Sequence, residues 1–181
     1  MRIVMTGGTS GIGLHAARVL LARGHDLTIG ARSALPSGLS GATHAPLDLA
    51  DLDSVRSFAR AQGDRWIDVL LLNAGLQVVE PATSRQGYEL GFAVNHLAHL
   101  LLLCELAGAM AQHGRIIVTA SGTHDPAEKT GIPPPHHANA RWLAFPSKDP
   151  HLDDNAGTAG RRAYAASKLC NIMAVRELHR R

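Results

Sequence analysis

Arg2-Ile3-Val4-Met5-Thr6-Gly7-Gly8-Thr9-Ser10-Gly11-Ile12-Gly13 opens the chain as an apolar run that breaks into closely spaced glycines. The run has strand length. The stretch from about Gly11 to Arg23 has helical periodicity, and Gly24 stands where a left-handed C-terminal stop belongs. Glycines between a strand and a helix permit a tight turn and let backbone approach a pyrophosphate closely. The free N–H groups and dipole at the helix start then favour that anion. A plain tight turn uses glycine in the same way, so the loop settles nothing by itself. No Gly-Lys-Ser/Thr follows, which excludes a nucleoside-triphosphate P-loop.

Outward from this loop, strand-length apolar runs alternate with helix-like segments. Asp26 to Ala31 reads as a second strand, and a polar link from Ser33 to Gly41 leads to a weak third strand near Thr43 to Leu47. Asp51 or Asp53 opens a helix to about Ala61. Ile67 to Leu72 is nearly unbroken aliphatic sequence, as a central parallel strand requires. Tyr88 to Met110 reads as a long helix, Arg115 to Ala120 as the fifth strand, and Ala163 to the end as the final helix. Ser121 to Tyr164 is one long irregular segment containing Pro133-Pro134-Pro135. The alternation predicts an α/β fold, a Rossmann-type doubly wound parallel sheet of order 3-2-1-4-5 in three αβα layers, with residues 1–181 as a single domain.

Composition narrows the function classes. The chain has 181 residues, of which 45% are hydrophobic and 18% charged, the balance of a folded soluble protein. Net charge is +3 with scattered arginines, which gives no nucleic-acid footprint. Cys104 and Cys170 lie in helical patterns without disulfide or zinc spacing, so reduced thiols are expected. No signal peptide is read at Met1, and a cytoplasmic location follows. The apolar helix near residues 97 to 110 is interrupted by His99, Glu105 and Gly108, so no membrane span is expected. His124, His136, His137 and His151 lack the spacing of a metal motif, and no metal is expected. His96 and His99 read as packing or surface histidines and Cys170 as a core cysteine, while His124 is placed to overhang a substrate beside Ser121.

Several polar residues stand where chemistry would need them. Arg32 closes the second strand, where a dinucleotide fold reads the adenosine ribose. An acidic residue there would suit NAD, whereas a guanidinium can take the 2′-phosphate of NADP. NADP(H) is therefore favoured and NAD(H) left open, a solvated surface arginine being the alternative. Asn73-Ala74-Gly75 and Thr119-Ala120-Ser121 end two strands on the edge where open α/β sheets bind ligands. Tyr164 and Lys168 share one helix face. A phenol of pKa about 10 is a poor acid or base at neutral pH, and a nearby ammonium stabilises the phenolate. An ordinary exposed helix face shows the same spacing.

Taken in order, Thr6-Gly7-Gly8-Thr9-Ser10-Gly11-Ile12-Gly13, Asn73-Ala74-Gly75, Asn95 within Val94-Asn95-His96, Ser121, and Tyr164-Ala165-Ala166-Ser167-Lys168 resemble the short-chain dehydrogenase/reductase family over essentially the whole chain. Asn95-His96-Leu97-Ala98-His99-Leu100, Tyr164 through Asn171, the ending Arg176 through Arg181 and the long segment before Tyr164 most resemble its retinol dehydrogenase and protochlorophyllide reductase branch. The resemblance implies an NADP(H)-dependent oxidoreductase that interconverts a small-molecule carbonyl and alcohol. It makes Tyr164 the general acid or base and Ser121 a hydrogen-bond partner of the reacting oxygen. Lys168 would hold the nicotinamide ribose, and Asn95 would anchor a water in a proton relay. Gly7, Ser10, Gly11, Ile12 and Gly13 would wrap the pyrophosphate, Arg32 the 2′-phosphate, Asp48-Leu49 the adenine, and Asn73, Ala74 and Gly75 the adenosine ribose side. Apart from the resemblance, the many aliphatic positions of Tyr88–Met110 and of the C-terminal helix exceed what one sheet face needs, so a homodimer through these helices is expected. The chain stops inside its final helix, where family members continue into a further strand and a substrate lid; these 181 residues lack that portion and read as part of a longer product, a naturally short chain that binds cofactor without turnover being the alternative. A non-catalytic dinucleotide-binding or scaffold protein, and a protochlorophyllide-type double-bond reductase, remain the alternatives.

Overall fold

Five runs pair as strands in the computed structural model, which describes residues 1–180; Arg181, the end of the expected final helix, lies outside the described residues. β1 (Arg2–Thr6), β2 (Asp26–Ala31), β3 (Thr43–Pro46), β4 (Ile67–Leu72) and β5 (Met110–Val118) form one sheet in the order β3-β2-β1-β4-β5. Every pairing is parallel, so the expected Rossmann-type order is the one observed. The helices are α1 (Gly11–Ala22), α2 (Leu52–Arg60), α3 (Leu90–Ala109), α4 (Ala140–Ala144) and α5 (Ala156–Arg180). The chain divides into two compact units, residues 1–74 with 101–118 and residues 75–100 with 119–180.

The first unit holds the whole sheet. Ile3, Met5, Leu27 and Ile29 pack with Ala17 of α1, against which Leu14, Leu20 and Leu21 also lie. Gly30 faces the opposite side of the pleat, where a Cβ would come within 2.5 Å of Leu47 and 3.0 Å of Phe58 from α2. Helices thus cover both faces of the sheet. Gly24 ends α1 at φ +73°, and Asp51 caps α2 by accepting the Asp53 N–H at 3.0 Å, as the sequence predicts. The order in which strands are added reverses between β1 and β4, the topology that in open parallel sheets places the binding crevice at the carboxyl ends of the strands.

β5 departs from the predicted Arg115–Ala120: it begins at Met110 and ends at Val118. Its register with β4 slips between the Met110 and Arg115 pairs. Gly114 sits in that irregularity, with Met110 and the carbonyls of Ala111 and Ile67 all within 3.0 Å of where a Cβ would stand. Periodicity cannot foresee such a slip, because it depends on the partner strand. β5 is one of the two sheet edges and leaves Ile117 47% exposed.

In the second unit, α3 begins at Leu90 rather than Tyr88, because the Glu89 carboxylate accepts the N–H groups of Gly91 and Phe92. Burial raises the Glu89 pKa, and those N–H donors oppose the rise. Residues Ala93–Leu97 form a π turn, and Met110 passes into β5. Reaching back to Leu90 makes α3 the one described helix long and apolar enough to cross a membrane, contrary to the shorter span read from sequence. Most of it is buried inside the protein, as in the core helix of a folded domain.

α5 starts at Ala156, ahead of the predicted Ala163, with Asn155 accepting the Thr158 N–H at 3.0 Å. Gly157 and Gly160 hide those first turns from a helical reading. The segment predicted as irregular also contains α4, capped by Asn139. Phe92, Leu143, Ala144, Ala166 and Cys170 form the core of this unit.

Candidate functional site

At the carboxyl edge of the sheet, Gly7 takes φ +69°, and a Cβ on it would fall 2.6 Å from the Ala74 backbone. The loop is therefore pressed against the end of β4. Asn73 Nδ2 donates to the Gly7 carbonyl at 3.1 Å, and Thr6 Oγ1 accepts the N–H groups of Asn73 and Ala74 at 3.1 Å each. A Cβ on Gly13 would stand 1.8 Å from the Gly7 carbonyl oxygen, so the first turn of α1 admits only glycine there. Ser10 occupies the N-cap without a side-chain cap bond, and the first turn carries no acidic residue. No acidic residue of that first turn offsets the positive end of α1. Gly11 stands at φ +52° and Ile12 is 86% exposed.

Arg32 follows β2 directly, is exposed, and makes no ion pair or hydrogen bond among the described residues. Asp48 and Leu49 follow β3, with Asp48 Oδ1 accepting the Ala50 N–H at 2.9 Å. A close backbone cradle, an uncapped helix start and an uncommitted guanidinium on one sheet edge fit a phosphorylated dinucleotide. Thr6, which ties the loop to the end of β4, is a site residue the sequence reading missed.

In the second unit, the π turn presents Asn95, which is fully buried. Its Oδ1 accepts the Leu76 N–H at 2.8 Å, and its Nδ2 donates to the Leu76 carbonyl at 2.9 Å and to Ser167 Oγ at 3.1 Å. Ser167 in turn donates to the Tyr164 carbonyl at 2.6 Å. Lys168 is 2% exposed, donates from Nζ to the Thr119 carbonyl at 3.1 Å, and lies 5.6 Å from the Tyr164 ring centroid. Burial lowers its pKa. A Cβ on Gly75 would lie 3.2 Å from that Nζ, so Gly75 leaves the room the ammonium occupies. Tyr164, Lys168, Asn95 and Gly75 are thus brought together.

Asn171 shares the helix face of Tyr164 and Lys168 and joins this network. Its Nδ2 donates to the carbonyls of Asn95 at 3.1 Å and Thr119 at 3.5 Å, while its Oδ1 accepts from His96 Nδ1 at 3.0 Å. His99 donates from Nδ1 to the same Asn95 carbonyl at 3.1 Å. Burial lowers the pKa of both histidines, that of His99 to about 4. The spacing of Asn171 from Lys168 was the available signal for its role.

Ser121 lies three residues past the end of β5, because Thr119 turns its carbonyl to Lys168 and Asn171. It opens a short turn, Gly122–His124, that packs on α5, and His124 Nδ1 donates to the Ser121 carbonyl at 2.6 Å. Cys170 is buried, and burial raises its thiol pKa to about 11, which keeps it protonated. Among the described residues no cluster of His, Cys, Asp and Glu could hold a metal ion.

Comparison with known proteins bears on the fold and the family. The family model described as short chain dehydrogenase matches residues 1–130. A protochlorophyllide reductase from Avena sativa is 32% identical over 205 residues, covering 99% of this chain and 65% of that protein. This chain thus spans less than two thirds of that relative's length. The crystal structure of an uncharacterised protein from Mycobacterium paratuberculosis superposes with a TM-score of 0.78 at 30% identity, covering 99% of this chain and 61% of that one. A short-chain dehydrogenase/reductase from Burkholderia multivorans with bound NADP shares the fold, with a TM-score of 0.68 at 19% identity over 98% of this chain and 71% of that one. The chain belongs to the short-chain dehydrogenase/reductase family.

Proposed function

We propose that the protein is an NADP(H)-dependent oxidoreductase that interconverts a carbonyl and an alcohol. The observation that carries the reading is Lys168, a lysine buried without a carboxylate partner among the described residues and held by the Thr119 carbonyl beside the Tyr164 ring. A buried cation is costly unless it serves a site. In this reading Gly7, Ser10, Gly11, Ile12 and Gly13 cradle the pyrophosphate. Arg32 takes the 2′-phosphate, Asp48-Leu49 border the adenine, and Asn73, Ala74 and Gly75 border the adenosine ribose.

Bound NADPH supplies the hydride. Tyr164 gives its phenolic proton to the substrate oxygen as negative charge builds there, and accepts a proton in the reverse direction. Ser121 donates a hydrogen bond to the same oxygen. Lys168 holds the nicotinamide ribose. Asn95, whose side-chain amide is taken up by Leu76 and Ser167, keeps the segment after β4 in place beside Lys168. Pairing of two copies through α3 and α5 belongs to the same proposal.

NADPH absorbance with a panel of aldehydes and ketones tests the assignment. Tyr164→Phe lowers kcat by about 10²-fold or more while leaving NADPH affinity nearly unchanged, because the proton is needed only in the transition state. Lys168→Ala weakens both. A Tyr164→Phe protein that turns over as fast as its parent removes the assignment. A parent that binds NADPH and reduces nothing on the panel favours a dinucleotide-binding scaffold. The similarity to the Avena sativa protochlorophyllide reductase favours a second reading, reduction of a tetrapyrrole double bond by the same residues. Illumination of the protein with NADPH and protochlorophyllide, followed by absorbance, separates the two.

A further inference from the structure

The second unit contains a cavity of about 620 Å³, in the size range of sites for small organic molecules. Ala156, Ala159, Ala163 and Ala166 of α5 line it at helical spacing, whereas Tyr164, Lys168 and Asn171 lie on another row, roughly 100° round the helix. Gly160 stands between the two rows. A Cβ there would fall 2.2 Å from the Val78 carbonyl oxygen, so the Val78–Val79 backbone crosses α5 at this point. Val78, Val79 and Gly160 line the cavity, and neither Tyr164 nor Ser121 is among its lining residues.

One end of the cavity is aromatic. The rings of His137 and Trp142 are 5.2 Å apart, those of Trp142 and His151 6.0 Å, and those of His137 and His151 6.2 Å. The polar atoms around them are unevenly committed. Arg162, the only lysine or arginine in the lining, uses Nε and Nη2 on the Asp153 carboxylate at 2.7 and 3.0 Å and Nη1 on the Pro134 carbonyl at 2.6 Å. An anion would find no free guanidinium.

His137 donates from Nε2 to Asp149 at 2.8 Å and accepts the Asn139 N–H on Nδ1 at 3.2 Å, so both its nitrogens are engaged. His136 donates from Nδ1 to the His151 carbonyl at 3.1 Å, which leaves its Nε2 as an acceptor. The carboxylates of Glu80 and Asp154 line the cavity and have no hydrogen bond or ion pair among the described residues. Asp149 and Asp153 add fixed negative charge. Burial works against ionised Asp149, yet the His151 N–H and His137 outweigh it and lower its pKa; the hydrogen bond from Arg162 leads the same lowering at Asp153.

An apolar cavity whose lining, among the described residues, holds aromatic rings at one end, uncommitted carboxylates and no free lysine or arginine suits a ligand that carries a positive charge. We infer that this cavity binds a small hydrophobic amine in its ammonium form, at a site separate from the Tyr164 row. The apolar body fills the space along the alanines of α5, and the ammonium meets Glu80, Asp154 and His136 Nε2 near the aromatic rings.

Trp142 is the reporter, since the other tryptophan, Trp66, is exposed and lies in the first unit. In a Trp66→Phe background, titration with 4-phenylbutylamine, 4-phenylbutanol and 4-phenylbutyrate compares three head groups on one body. The amine is expected to give a saturable fluorescence change with one site, at least about tenfold tighter than the acid. Glu80→Gln with Asp154→Asn, both exposed positions, weakens the amine several-fold and leaves the alcohol unchanged. Ala159→Phe blocks all three, and Tyr164→Phe blocks none. Equal or tighter binding of the acid, no saturable change with the amine, or amine binding indifferent to the two carboxylates overturns the inference. Loss of amine binding in Tyr164→Phe would overturn the separation from the Tyr164 row. The measurement needs neither cofactor nor turnover, so its failure is distinct from failure of the oxidoreductase reading.

Discussion

His99 sets a limit on acid stability that can be worked from its environment. The side chain is 1% exposed on α3 and donates from Nδ1 to the Asn95 carbonyl, and burial lowers its pKa from 6.5 to about 4. The charges of Lys168 and His96 push the same way. Between the two pKa values the unfolded chain binds the proton that the folded protein refuses. Stability therefore rises with pH across that window, and the loss on acidification starts near the unfolded value and is complete below the folded one. The full shift corresponds to about 3.4 kcal/mol, of which about 2 kcal/mol is already lost at pH 5. His99→Leu removes the titration and also the hydrogen bond, the latter at every pH. The comparison is therefore between slopes: urea unfolding followed by circular dichroism at pH 7.5 and pH 5 for both proteins. The parent should lose about 2 kcal/mol more than His99→Leu between those conditions. Equal losses would refute a neutral, buried His99.

Two further outcomes concern the sheet edge. Arg32→Ala should weaken NADPH by about ten- to hundredfold and leave NADH nearly unchanged, as expected for losing about 1.5–3 kcal/mol of charge-assisted bonding; fluorescence titration of both cofactors reads the difference. Gly13→Ala places a Cβ 1.8 Å from the Gly7 carbonyl oxygen, so it should abolish dinucleotide binding and destabilise the fold by about 1–3 kcal/mol in thermal unfolding.

The strands β1, β2 and β4 were legible because each is a short apolar run bounded by glycine or polar residues, and burial on both faces leaves little else for such runs to do. What sequence reading missed depends on partners distant in the chain. Asn95 reads as a motif residue, yet its hold on Leu76 and Ser167 exists only because the π turn aims it there. His96 and His99 look like packing histidines. Both are buried, and both also supply hydrogen bonds to the Asn95–Asn171 network, which no local pattern announces. The early turns of α5 were hidden by Gly157 and Gly160, glycines that let Val78–Val79 cross the helix closely.

Lys168 joins these observations into one physical statement about the second unit. Stability alone would replace a buried, unpaired ammonium with an apolar side chain of similar length, since desolvation opposes the charge and no carboxylate offsets it. The fold instead surrounds it with neutral acceptors and small residues. Thr119 turns its carbonyl to Nζ, Asn171 steadies that carbonyl, and Gly75 leaves the space a side chain would fill. A neutral carbonyl holds the ammonium without fixing it as a carboxylate would, so the charge stays available to a polar group brought next to it. Asn95 and Ser167 hold the neighbouring backbone, one through Leu76 and the other through the Tyr164 carbonyl, so the helix turn bearing Tyr164 is tied on the side that faces Lys168. Such an arrangement costs stability, and under the proposed function that cost serves a proton-donating phenol and a ribose-holding ammonium on one helix face.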